Sequence, residues 1–205
     1  LQAKTSHING VFNCVCIVDI DSSTAGATKY DDVKRQKEKQ AVTSANCYAV
    51  WLYAKVGDVI YAGSAMAAAA TVATDANNGD IPNVSPDNKP ISISAACLKD
   101  GTEVLLDQEQ ANVVNSFGVA TWLNMNGFRL WGNNTAAYPG TTDPKDRWFS
   151  VRRFMSWDDN TFIQTYFQKV DDPLNKRLIE ALVDSENVRG NSFVSRGICA
   201  RHEIQ

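Results

Sequence analysis

The sharpest chemical pattern in the chain is Asp19-Ile20-Asp21-Ser22-Ser23, two carboxylates two positions apart at the end of the apolar run Val11–Val18. At the tip of a strand, such a pair could hold Mg²⁺ while one carboxylate attacks a phosphoryl group. The same residue types also serve as solvated strand-end and turn acids. A further acidic pair, Asp158-Asp159, falls inside a helical pattern. Serine hydrolysis needs a histidine base, and the two histidines, His7 and His202, stand near opposite ends of the chain with no Gly-x-Ser-x-Gly elbow between them. Glycine-rich phosphate cradles are missing as well. The cysteines, Cys14, Cys16, Cys47, Cys97 and Cys199, are odd in number, lie in apolar stretches and show no zinc-type spacing. They read as reduced core thiols, and no metal or cofactor is expected.

The elements that position these residues follow from composition and periodicity. A chain of 205 residues can bury one sizeable core, so a single domain over 1–205 is expected. Its 20 basic and 23 acidic residues leave a net charge of -3, which argues against a nucleic-acid module. The longest uncharged run, Val59–Thr74, is too short and too alanine-rich for a membrane span and predicts a buried helix, so no membrane insertion is expected. Leu1–Ser6 lacks the apolar segment of a signal peptide.

Val11–Val18 predicts a strand covered on both faces, and Cys47–Ala54 a second one, which together indicate α/β. The lysine-rich stretch Val33–Val42 predicts a helix with a solvated outer face. A helix capped by Asp58 is expected to run to Asp75, followed by a proline- and asparagine-rich loop from Asn77 to Pro90. Asp107 with Gln110 forms a capping box for a helix ending at Phe117-Gly118. Asn126-Gly127 then joins two strands through a type I′ turn. A strand from Trp148 turns into a helix, and Asp172-Pro173 starts another whose buried stripe is Leu174, Leu178, Ile179, Leu182 and Val183. Finally, the alternation of Ile198, Ala200, His202 and Ile204 predicts a half-buried strand with no closing turn. The predicted class is therefore α/β, a mixed sheet flanked by helices, with a hairpin at Asn126-Gly127 and two late helices.

Two segments carry a resemblance. Gly127-Phe128-Arg129-Leu130-Trp131-Gly132-Asn133-Asn134-Thr135 and Arg147-Trp148-Phe149-Ser150-Val151-Arg152-Arg153 resemble signature stretches of contractile tail sheath proteins of phages and phage-like particles. Pro82–Asn88 resembles that family's proline-and-asparagine loop, and Pro173–Gly190 its late helix. The Asp19/Asp21 pattern in turn resembles the first motif of haloacid-dehalogenase-type phosphatases, the alternative reading; that family also needs a lysine and a second acidic pair at the ends of later strands, and the obvious pair here, Asp158-Asp159, lies inside a helical pattern. A capsid-like or baseplate structural domain is a third.

The sheath resemblance implies an α/β core without a catalytic triad and a mechanical function. Subunits would polymerise around a tail tube in an extended lattice and relax into a shorter, wider one, driving the tube through a cell envelope. It implies a virion tail or phage-like particle assembled in the host bacterial cytoplasm. Partners would be the tube protein and other sheath subunits, linked by strand addition from terminal arms. The first residue is not Met and the last strand lacks a closing turn, so a fragment without outer domains or C-terminal arm is expected, monomeric by itself. Lys176, Arg177 and Arg189 are the implied tube contacts, and Ile198, Ala200, His202 and Ile204 the inter-subunit edge strand. Trp131, Arg152 and Arg153 are structural candidates, with strand alternation sending one arginine inward and the other outward.

Overall fold

The computed structural model of the chain describes residues 7–203 and consists of two compact units that divide between Thr161 and Phe162. Along the first unit the strands and helices are β1 (His7–Ile8), β2 (Phe12–Asn13), β3 (Cys16–Asp19), α1 (Val33–Lys39), β4 (Cys47–Val50), β5 (Tyr53–Val56), β6 (Val59–Tyr61), α2 (Gly63–Ala76), β7 (Ala95–Cys97), α3 (Gln108–Ser116), β8 (Val119–Asn124), β9 (Phe128–Trp131), α4 (Pro144–Arg147) and α5 (Phe149–Tyr166). The last of these continues past the division. The second unit contains α6 (Lys176–Ser195).

The main sheet has the order β3-β4-β8-β9. Its first three strands are parallel and β9 returns antiparallel to β8, so the expected mixed sheet of an α/β fold is what forms. Central strand β4, Cys-Tyr-Ala-Val, is buried on both faces, as its unbroken apolar pattern requires. A separate antiparallel sheet has the order β6-β5-β7. The core gathers Tyr48, Trp51, Trp122 and Phe149, all but inaccessible to solvent. Each of the polar aromatics in it has a partner. Trp51 Nε1 donates to Ala27 O at 3.0 Å, Trp122 Nε1 to Leu52 O at 3.1 Å, and Tyr48 OH to Gly132 O while its ring stacks on Phe149.

Several boundaries differ from the sequence reading. Val11–Val18 is interrupted between β2 and β3, and Cys47–Ala54 is split at Leu52, whose φ of 84° breaks the extended run. Gly57-Asp58 is the turn of the β5–β6 hairpin and caps no helix, because Val59-Ile60-Tyr61 prefers the strand. The β8–β9 connection pairs Asn124 with Phe128, which makes a three-residue loop of Met125-Asn126-Gly127 in place of a two-residue turn; Asn126 and Gly127 still carry the positive φ angles. Trp148 makes one bridge to Asn134 and the helix begins at the next residue. In the second unit, α6 starts three residues beyond Asp172-Pro173. Asn175 is its cap, with the side chain accepting from Leu178 N.

Residues 198–203 form no strand, since an alternating segment needs a partner edge to become one. Ile204 lies outside the described residues, as do Leu1–Ser6.

Candidate functional site

The strand-end acids are fully engaged by nearby donors. Asp19 Oδ1 accepts from Ser64 N at 2.7 Å and Oδ2 from Ser64 Oγ at 2.6 Å, so this carboxylate caps the N-terminus of α2. Asp21 closes on Ser23, accepting from its N and its Oγ, both at 3.0 Å. The Ser23 backbone hydrogen bond holds the Asp21 carboxyl below its usual range. The Gln40 side chain takes the Asp19 carbonyl and the Asp21 amide. Asp158 and Asp159 lie within α5, as the helical pattern predicts. Among the described residues no cluster of three His, Cys, Asp or Glu side chains could hold a metal. The arrangement is that of a helix cap and a turn.

The second resemblance segment is a set of anchors. Arg153 forms a two-pronged ion pair with Asp75 at the end of α2, with side-chain exposures of 14% and 18%. Arg152 Nε donates to Asn46 Oδ1 at 2.7 Å and Nη1 reaches Asp146 at 3.3 Å. Both therefore face the body. The inward-and-outward expectation fails because these residues occupy a helix, where neighbours are about 100° apart, and not a strand. Arg147 lies between the rings of Tyr138 and Trp148, at 4.3 and 4.2 Å from their centroids. Trp131 is half-buried and donates its Nε1 to Asn112 Oδ1 at 2.9 Å.

The hairpin segment is tied down at Gly132. Its N–H donates to Asp87 Oδ1 at 2.7 Å, and a Cβ there would collide with the Asn115 side-chain amide and come within 3.1 Å of Ala120 Cα. Only glycine permits this approach at φ 135°. Burial lifts the Asp87 carboxyl above its usual range despite that hydrogen bond.

Lys37 is the charged residue that sequence reasoning misplaced. It is not on the solvated face of α1 but 6% exposed, and its ammonium donates to Phe117 O at 2.6 Å and Tyr138 O at 2.8 Å. Burial pulls its pKa down to about 8. Val33, one turn earlier on the same face, is apolar and buried, but spacing could not reveal the acceptors, which lie 80 and 101 positions away.

Sheet edges differ in their availability. Residues 88–91 cover the outer side of β9 through Asn88 N to Leu130 O and Ile91 N to Phe128 O. Val104 N donates to Ala96 O on β7. Strand β6 ends its sheet with all three residues exposed and, among the described residues, no neighbour beyond it. Strand β3 ends the main sheet.

In the second unit, Lys176 is exposed and pairs with Glu180 at 3.5 Å, and Arg177 is exposed. Arg189 belongs elsewhere: its Nε and Nη2 donate to Glu186, itself 2% exposed, at 2.8 and 2.6 Å. Its charge is already matched within the helix. The expected stripe is only partly covered, since Leu174 and Ile179 are exposed and Leu178, Leu182 and Val183 half-buried. Burial centres on Glu186, Gly190 and Phe193. The His202 ring packs edge-on against Phe193 and sits over Gly190, a position an isolated edge strand would not provide.

No family model matches the chain. Over 92 residues, 44% of its length, it is 34% identical to the tail sheath protein of Burkholderia phage BcepMu, of which the match spans 19%. Its fold superimposes on a chain of the anti-feeding prophage baseplate with a TM-score of 0.70, at 18% identity over 96% of this chain and 48% of that one. A chain of the PVC sheath complex in its contracted state, from an extracellular contractile injection system, gives 0.69 at 16% identity over 88% and 48%. The chain thus spans about half the length of these solved relatives.

Proposed function

We propose that this chain is the core of a contractile tail sheath subunit, a mechanical component and not an enzyme. The observation that carries the reading is the use made of its charged groups. Asp19, Asp75, Arg152 and Arg153, side chains suited by type to do chemistry, instead tie segments of the body to each other, while the edge of β6 stays exposed. A body that must rotate as a unit between two packings needs internal ties of this kind. Similarity to a phage tail sheath protein and to sheath and baseplate chains supports the same conclusion. No second reading is favoured: Asp19 caps α2, Asp21 closes a turn, and among the described residues no group of three His, Cys, Asp or Glu side chains could hold the metal that the phosphatase alternative uses.

In this function, subunits assemble in the bacterial cytoplasm around a tail tube and link through strand addition. The exposed edge of β6 can accept such a strand, and Ile198, Ala200, His202 and Ile204 can supply one once a partner edge is present. Contraction of the lattice then drives the tube through an envelope. Exposed on α6, Lys176, which also pairs with Glu180, and Arg177 would make weak, screened contacts with the tube, whereas Arg189 is held by the buried Glu186.

An antibody raised against this chain tests the reading. It should decorate the outer cylinder of contractile particles made by the encoding organism, along the whole cylinder length. Labelling restricted to a capsid, or to no particle in preparations that contain contractile tails, overturns it.

A further inference from the structure

Three of the five cysteines converge on one corner of the main sheet. Cys16 on β3 and Cys47 on β4 are directly opposed in the parallel pairing, and their Sγ atoms lie 2.8 Å apart, neither engaged in a disulfide. Side chains of register partners leave the same face of a sheet, and strands stand about 4.8 Å apart, inside the Cα separation that disulfides span. Cys14 lies two residues upstream beside a surface cavity that also borders Asp75, Arg153 and Trp157. Cys97 and Cys199 belong to other elements.

We propose that Cys16 and Cys47 form a reversible cross-link site, joined as a disulfide when the protein meets a small-molecule disulfide oxidant and open in a reducing cytosol. The inference does not rest on the sheath reading. In the first step the half-buried Cys16 thiolate attacks one sulfur of the oxidant and releases one equivalent of the small thiol. Cys47 then attacks the Cys16 sulfur, forming the internal bond and releasing the second thiol, so two protein S–H bonds are exchanged for one S–S bond. Cys47 is wholly buried and its thiol is pushed up to about 12, first by burial, so it follows as the resolving residue and does not initiate. The link would fasten the edge strand of the sheet to its centre across a loop of 31 positions, where a cross-link removes most freedom from the unfolded chain.

The test is peptide mapping of the purified protein after long incubation at mildly alkaline pH with oxidised glutathione, with a dithiothreitol-treated portion as reference. The expected product joins the tryptic peptide 5–29, which holds Cys14 and Cys16, to peptide 40–55, which holds Cys47. Its mass should be lower than the sum of the free peptides by two hydrogens, and dithiothreitol should abolish it. Cys14→Ser should retain the link, and Cys16→Ser and Cys47→Ala should lose it. The wild-type and Cys14→Ser maps decide the matter even if the core variants fold poorly. Glutathione adducts on Cys97 or Cys199 without the 16–47 link would overturn the proposal, and so would a link that persists in Cys16→Ser or disappears in Cys14→Ser.

Discussion

Lys37 makes stability depend on pH in an unusual direction. Its folded pKa of about 8 lies below the ordinary lysine value of 10.5, because burial penalises the charged form more than neighbouring Glu38 favours it. Between those two values the unfolded chain binds more protons than the native one, so this residue makes the protein more stable as pH rises. Below about pH 8 both states are protonated and its contribution is flat. At about 1.4 kcal/mol per pKa unit, the full difference corresponds to roughly 3 kcal/mol. The Phe117 and Tyr138 carbonyls stabilise the ammonium, so about 2 kcal/mol is the fairer expectation.

Other groups oppose this trend. Cys47, with its thiol raised to about 12, and Tyr48, raised by burial, withdraw stability as pH climbs past their unfolded values. The measurement must therefore be a difference. Urea unfolding of the parent and of Lys37→Met at pH 7, 9 and 10.5 isolates the lysine, because the remaining titrations are common to both proteins. The parent should gain about 2 kcal/mol on the variant between the lowest and highest pH. The constant cost of two unpaired carbonyls in the variant shifts the offset but not the slope. A difference that stays level across the range would refute the burial of the Lys37 ammonium at this position.

Removing one member of the Arg153–Asp75 pair strands the other in a mostly buried site. Arg153→Ala should cost about 3 kcal/mol by chemical denaturation, and a loss below about 1 kcal/mol would contradict the pairing. Asp19→Ala removes the acceptor for Ser64 N and Oγ at the start of α2, and should lower stability by about 1 kcal/mol while Asp19→Asn recovers part of it. Gly190→Ala drives a Cβ into the His202 ring, so it should speed hydrogen exchange around Phe193, and the added change His202→Ala should restore protection; equal exchange in all three proteins would show that the ring does not sit there. In the sheath reading, Lys176→Glu with Arg177→Glu should leave the circular dichroism spectrum unchanged and weaken co-sedimentation with polymerised tail tubes; unchanged binding at low salt would remove both from the tube interface.

What was legible in the sequence is what local chemistry determines. The Asp107–Gln110 capping box forms as written, with Gln110 N donating to Asp107 at 2.8 Å, because cap and helix are neighbours in the chain. Gly118 and the Asn126-Gly127 pair adopt the positive φ angles their types predict. The apolar run of β4 lies between two parallel neighbours inside the mixed sheet, where its unbroken pattern places it. Where the reading failed, the partner was distant. The cap of α2 comes from Asp19, 45 positions before Ser64, so the sequence offered Asp58 as the nearest acid and placed the start too early. Arg153 meets Asp75 across 78 positions, and periodicity has no term for a pair of that kind.

The late helix shows the same limit from the apolar side. Its leucine stripe satisfies every spacing rule for a buried face, yet Leu174 is 78% exposed and Ile179 46% exposed, while the buried positions include Glu186. Periodicity reports that a helix has a face to bury; it does not report whether the burying surface belongs to the same chain. Glu186 can be buried because Arg189, three residues on, neutralises it from the same helix. The exposed stripe has no such local remedy, and large apolar side chains gain by leaving water. In a subunit built for a lattice, faces left uncovered in the single chain are where neighbouring copies or the tube would supply the missing surface. Under the proposed function, the exposed stripe of α6 is expected to be a face that assembly covers.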